Sequence, residues 1–292
     1  MNLAKNVAIV FICTLFLSTY SWSENKSVQL AKARPGNLGI KSSTAIVYDQ
    51  LTGRVLFSKN VQQISSIASI TKLMTAMVIL DSGLPLLEPI KITKADIDRY
   101  KLSKSKLKVG SVLMRAEMLK LALMASENRA ASALARTFPG GTKTFVAEMN
   151  RKALRLGMKN SRFVDSTGLR PGNVSTAADL VKLVAMAHSY PMIRKYTTAG
   201  SFKVEPIRGH RANSLQYVNT NRLVKSPRWD IGLSKTGYIR EAGRCLVMQA
   251  KIVDRPLIII LLDSWGKLTR IGDANRIRRW IESDFSRLRV SG

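Results

Sequence analysis

The chain has 292 residues, with 47 Lys and Arg against 19 Asp and Glu, a net charge of +28, and two cysteines. Ordinary apolar content over this length can bury a full core, which excludes a disordered chain and fits one large domain or two small ones. So basic a chain calls for a polyanionic partner; nucleic acid is excluded, because the basic residues are spread without a recognition motif on a chain that reads as secreted.

Lys5 precedes an apolar run from Val7 to Leu17 and a small-residue site at Ser21-Trp22-Ser23, the pattern of a secretory signal peptide cleaved after Ser23. The run is shorter than the roughly 20 residues of a spanning helix, so residues 1–23 are expected to be removed, leaving no integral membrane segment and a periplasmic (extracytoplasmic) protein. Cys13 leaves with the signal; Cys245, alone in the apolar run Cys245 to Met248, reads as a core residue. Without Lys5 the charge becomes 28 − 1 = +27.

Residues 24–41 are polar with Pro35 and Gly36 and read as a flexible leader. Thr44 to Asp49 and Arg54 to Phe57 flank a turn, a hairpin signal. Ser69 to Asp81, apolar nearly all round, predicts a buried helix stopped by Gly83 and Pro85. Further helices are expected over Ala116 to Thr137, Thr142 to Leu156 and Ala177 to Ser189. Arg244 to Val253 and Leu257 to Asp263 read as strands joined by a turn at Asp254-Arg255-Pro256, and Asp273 to Ser283 as a closing helix. The pattern predicts an α/β protein of the α+β type: an antiparallel sheet from both chain ends, a helical subdomain inserted between them, one domain over 42–285 and a short basic tail over 286–292.

Three short motifs stand out together: Ser69-Ile70-Thr71-Lys72, Ser126-Glu127-Asn128 and Lys235-Thr236-Gly237. Their order matches the set used by penicillin-binding proteins and class A β-lactamases. At a helix start residues i and i+3 share a face, so the Lys72 amine can serve the Ser69 hydroxyl as general base, and free N–H groups beside Ser69 can face a developing oxyanion. An ordinary lysine would be neutral in only about one molecule in 10³ at pH 7; burial with a second ammonium, Lys235, is expected to lower its pKa. Lys235 and Thr236, on the sheet's edge strand, are expected to bind a substrate carboxylate, with Gly237 admitting the substrate backbone and the Tyr238 N–H as second oxyanion donor. Ser126 would relay a proton between Lys235 and the leaving amine, Asn128 would hold Lys72 and the substrate amide, and Glu127 would point away.

With these motifs in place the chain resembles the low-molecular-mass penicillin-binding proteins of the D-alanyl-D-alanine carboxypeptidase superfamily, and within it the penicillin-binding-protein-7 type D-alanyl-D-alanine endopeptidases. The stretches Ile67 to Asp81, Leu121 to Ala130, Ala153 to Gly168 and Asn173 to Asp179 carry the likeness, which covers roughly Ser43 to Ser283. It implies a β-lactamase/transpeptidase-like fold, an acyl-enzyme on Ser69, peptidoglycan as substrate, β-lactams as inhibitors and no cofactor. Carboxypeptidases of this kind carry a second domain and a membrane helix; here 292 − 237 = 55 residues follow Gly237, so neither is expected.

Rival readings fare worse. A β-lactamase needs a carboxylate for its deacylating water, and Glu148 and Glu205, the only glutamates between Asn128 and Lys235, lack the context of that class. A β-lactam sensor would need a second apolar span. The histidines, His188 and His210, are isolated, so no metal is expected, and His188 reads as a packing or capping residue. Endopeptidase and carboxypeptidase remain alternatives, since the residue after either scissile bond bears a similar carboxylate.

Overall fold

The computed structural model describes residues 38–208, 211–212 and 214–290. The signal peptide, Cys13 and His210 lie outside the described residues.

The hairpin near the amino terminus is β1 (Thr44–Asp49) and β2 (Arg54–Lys59), and three long strands follow late in the chain: β3 (Asp230–Ile239), β4 (Gly243–Ile252) and β5 (Arg255–Ser264). They form one antiparallel sheet in the order β3-β4-β5-β1-β2, so the two chain ends meet where β1 pairs with β5. Both faces of β4 and β5 are covered, which explains their near-continuous apolar runs. Leu246, Met248, Leu257 and Ile259 pack toward the closing helix, and Val247, Ile258 and Ile260 toward the helical subdomain.

Between the strands lie helices α1 (Thr71–Asp81), α2 (Arg115–Met124), α3 (Asn128–Arg136), α4 (Gly141–Arg155), α5 (Ala177–Ser189) and α6 (Pro191–Thr197); α7 (Thr269–Val290) closes the chain. Four expectations need correction. The stretch Ala116 to Thr137 is two helices, broken where Ser126 takes φ +59°, a left-handed conformation that ends α2. The β4–β5 turn is Val253-Asp254, both at positive φ, the two-residue loop that matches strand twist, so Arg255 and Pro256 already belong to β5. The closing helix runs to Val290, so residues 286–290 continue it rather than forming a separate tail.

The fourth correction concerns the leader, whose last residues are packed. Ile40 is buried against the sheet, and the N–H groups of Lys41 and Ser42 and the Ser42 hydroxyl all donate to the buried carboxylate of Asp273 at 2.6 to 3.0 Å. Asp273, ion-paired with Arg276, thus ties the amino-terminal segment to α7. Asp273→Ala strands these buried donors and is expected to cost about 3 kcal/mol in urea unfolding, with penicillin acylation of the folded protein unchanged.

Candidate active site

Ser69 sits on the 3-10 turn Ala68–Ile70 directly before α1, partly exposed, with Lys72 one turn along on the same face and fully buried. Ala68 takes φ +47°, a strained position in which the loop from Asp165 to Asn173 and β3 both press on this turn. The Lys72 Nζ lies 2.9 Å from Ser69 Oγ, 2.7 Å from Asn128 Oδ1 and 2.6 Å from the Thr167 carbonyl. Burial pulls its amine down from 10.5 to about 7, against the opposing fields of the Asp165, Glu127 and Asp98 carboxylates. Desolvation, rather than the expected charge of Lys235, is what lowers it. The repulsion is visible on Lys235 instead, whose pKa burial, Lys72 and Arg270 push well down.

The break after α2 aims Ser126 at the same cleft. Lys235 Nζ donates to Ser126 Oγ at 2.9 Å, so the second and third motifs meet as the first does with Asn128. Glu127 does not reach solvent: it is buried, accepts the Arg129 N–H as the cap of α3, and burial raises its pKa. β3 is an edge strand, as expected, but Gly237 serves a different approach. A Cβ there would lie 3.1 Å from both Ile67 O and Ser69 N and 3.0 Å from the Ala68 Cβ, so the missing side chain lets β3 close on the serine's own turn. Tyr238 follows with its ring exposed under the Arg244 guanidinium.

Ser69, Ser126, Asn128, Thr236, Gly237 and Tyr238 line a cleft of about 490 Å³ that also takes in residues the motifs do not mark, with Lys72 and Lys235 buried behind it. Thr220 exchanges a 2.6 Å hydrogen bond with Thr236. Arg270, at the start of α7, has Nε and Nη1 buried without a hydrogen-bond partner among the described residues. Arg240 and Arg270 line the cleft and suit it to an anionic ligand. Glu148 and Glu205 do not line it and pair with Arg151 and Lys203 elsewhere. Cys245 is buried and free, its thiol pushed up to about 11 by burial. His188 packs its ring against Gly232 of β3, which supports the packing role. Among the described residues no three His, Cys, Asp or Glu side chains are placed to share a metal ion, and no helix is long and apolar enough to cross a membrane.

A serine whose partner is a buried lysine of lowered pKa places the protein among the serine acyl-transfer enzymes that use lysine where others use histidine. The family model for D-alanyl-D-alanine carboxypeptidase matches residues 29–265, and the chain belongs to that family. It is 44% identical to the D-alanyl-D-alanine endopeptidase of Pseudomonas aeruginosa, over 94% of this chain and 88% of that one. To the D-alanyl-D-alanine endopeptidase of Escherichia coli it is 43% identical, over 84% and 78%. Among solved structures the Streptomyces K15 DD-transpeptidase superposes with a TM-score of 0.77 at 28% identity, covering 82% of this chain and 97% of that one. The antiparallel sheet with its inserted helices is therefore the fold of the DD-peptidases and transpeptidases.

Proposed function

We propose that the protein is an extracytoplasmic serine D-alanyl-D-alanine endopeptidase that hydrolyses peptide crosslinks of peptidoglycan through an acyl-enzyme on Ser69. The observation that carries the chemistry is the threefold contact of Lys72. A neutral amine has two hydrogens and one lone pair, and Asn128 Oδ1 and the Thr167 carbonyl can only accept. Both hydrogens are thereby spent, and the lone pair faces Ser69 Oγ. In this mechanism Lys72 takes the Ser69 proton as the oxygen attacks the D-alanyl carbonyl, and the N–H groups of Ser69 and Tyr238 receive the oxyanion. As the C–N bond breaks, Ser126 hands its proton to the leaving amine and takes one from Lys235, which donates to it; water then splits the ester, giving a proton back to Lys235 while Lys72 returns its own to Ser69. Thr236, Thr220 and Arg270, which line the cleft, bind the carboxylate beside the scissile bond. The same features make Ser69 the expected site of acylation by β-lactams.

Crosslink cleavage is favoured by the extent and level of similarity to relatives named endopeptidases. Incubation with purified crosslinked dimers and pentapeptides decides the matter: dimers should become monomers faster than pentapeptides lose D-alanine. Rapid D-alanine release with dimers left intact would return the assignment to a carboxypeptidase, whose terminal carboxylate the same three residues would hold.

The basic surface supports a second element of the proposal, electrostatic association with the polyanionic wall. Sedimentation with isolated peptidoglycan should then fall steeply as salt rises past about 0.15 M, where the Debye length is about 8 Å. Binding that ignores salt would remove this element and leave the catalytic one standing.

A further inference from the structure

Behind the sheet, on the face that α7 covers, a pocket of about 510 Å³ lies between α7 and the 3-10 turn Arg222–Lys225 with the loop that leads from it into β3. It is as large as the catalytic cleft of about 490 Å³ and shares no residue with it. Leu223 and Trp229, buried in the core beneath α7, close its inner end. From α7 come Asn275, Arg278, Arg279 and Glu282, at the i, i+3, i+4 and i+7 spacing of one helical face. The chemistry described above uses none of them.

The hydrogen bonds already made show what the pocket still offers. Among the described residues Glu282 is the one carboxylate lining it, and it takes Nε and Nη2 of Arg278 at 2.8 and 2.7 Å. Asn275 Oδ1 accepts the Trp229 indole N–H at 3.1 Å, which leaves the two amide hydrogens of Asn275 unspent. Ser226 Oγ accepts the Arg228 N–H at 3.4 Å and keeps its own hydrogen. The exposed guanidinium groups of Arg228 and Arg279 have no partner among the described residues. Outside the Glu282–Arg278 pair, the pocket therefore presents donors, and its three arginines stand against one glutamate. A ligand that fits it brings acceptor oxygens and negative charge.

We infer that this pocket is a second binding site for the wall, in which Arg228 and Arg279 take the carboxylate end of a stem peptide other than the one in the catalytic cleft. A guanidinium meets a carboxylate with two parallel N–H···O bonds, the geometry that an exposed arginine without a partner is free to adopt. The inference rests on the proposed association with peptidoglycan and gives that attraction a place in the fold instead of a diffuse charge. Arg278 lies eight residues beyond Arg270, about 12 Å along the helix at 1.5 Å per residue, so the pocket stays open when the cleft is filled. Two sites on one body hold an insoluble substrate longer than either alone, because release requires both to let go.

The test compares two pairs of changes that remove the same charge, each made in the full-length Ser69→Ala protein, which binds the wall without cutting it. Arg228→Ala/Arg279→Ala empties the pocket of its free guanidinium groups, and Lys143→Ala/Arg155→Ala removes two exposed cations of α4. In sedimentation with isolated peptidoglycan the first pair should lower affinity about tenfold, the scale of hydrogen bonds to a charged group, and the second less than about twofold. A tetrapeptide stem with free carboxylates should displace the parent protein better than the same peptide amidated, and this difference should shrink in the pocket variant to what the cleft alone contributes. Equal losses in the two variants would make the attraction diffuse and overturn the pocket, as would equal displacement by free and amidated peptide. Unchanged wall binding with loss confined to phosphatidylglycerol vesicles would overturn it too and give the pocket to a lipid phosphate. With Ser69 restored, urea unfolding and benzylpenicillin acylation should stay as in the wild type, since the two exposed arginines have no structural partner. A protein that sediments with the expected pattern yet cleaves neither dimers nor pentapeptides loses the proposed activity and keeps the pocket.

Discussion

Lys72→Arg is expected to fold and to lose acylation by a fluorescent penicillin by at least ~10³-fold, the upper range of a general base's contribution. Arginine keeps the charge and can still donate to Asn128 Oδ1 and the Thr167 carbonyl, but it does not deprotonate in a protein and has no lone pair for Ser69. Single-turnover labelling followed by mass spectrometry checks this, with Ser69→Ala as the zero. A variant within tenfold of wild type would make Lys72 structural. The wild type supplies a second readout, because the neutral amine is the working form and its fraction rises with pH. With the amine lowered to about 7, the acylation rate should climb through pH 7 and level off above it, whereas an ordinary lysine would still be climbing at pH 10. The same group couples to stability with the matching sign. Between about pH 7 and 10.5 the unfolded chain holds a proton that the folded chain has released, so this group makes stability rise with pH across that window.

The three motifs were legible because their chemistry is local or nearly so: Ser69 and Lys72 need only one helical turn, and Lys235 only a place on an edge strand. The strands were legible too, since apolar runs such as Leu257 to Leu262 follow directly from a sheet buried on both faces. What the sequence hid is what tertiary approach creates. Thr167 lies 95 residues from Lys72 and offers only a backbone carbonyl, which no residue type announces. Arg270 looks like any other arginine in a basic chain until α7 sets it beside Lys235. The break at Ser126 was masked by good helix formers on both sides, and its cost is met by the bond to Lys235 rather than by local propensity. The extent to which burial lowers the lysine's pKa is likewise hidden in the sequence, because apolar neighbours such as Met74 and Leu73 read as core, not as the wall of a catalytic site. One signal was available: Asp165-Ser166-Thr167-Gly168 has the Asp and Gly of a side-chain-stabilised turn, and that turn delivers the Thr167 carbonyl.

Gly168 of that turn is the position where the smallest substitution is expected to do the most damage. Its φ is +80°, and a Cβ there would lie 1.9 Å from the Ala68 carbonyl oxygen and 2.9 Å from the Ser69 N atom, distances no side chain tolerates against backbone. Gly168→Ala must therefore push the turn away from the Ser69 segment, lifting the Thr167 carbonyl off Lys72 and moving the N–H of Ser69. The expected result is a loss of at least about 3 kcal/mol in urea unfolding, from a strained backbone and an overpacked core together. Acylation by penicillin should fall at least ~10²-fold, the scale of losing one oxyanion donor. Gly157→Ala is the control: at φ +67° it bears the same conformational strain, but its nearest neighbour is the end of the flexible Lys182 side chain at 3.8 Å. It should cost about 1 kcal/mol and leave acylation untouched. If the two variants behave alike, backbone strain explains both and the contact with Ala68 does not position the serine; if Gly168→Ala alone loses acylation in protein that remains folded, the turn sets the geometry in which Ser69 meets its base.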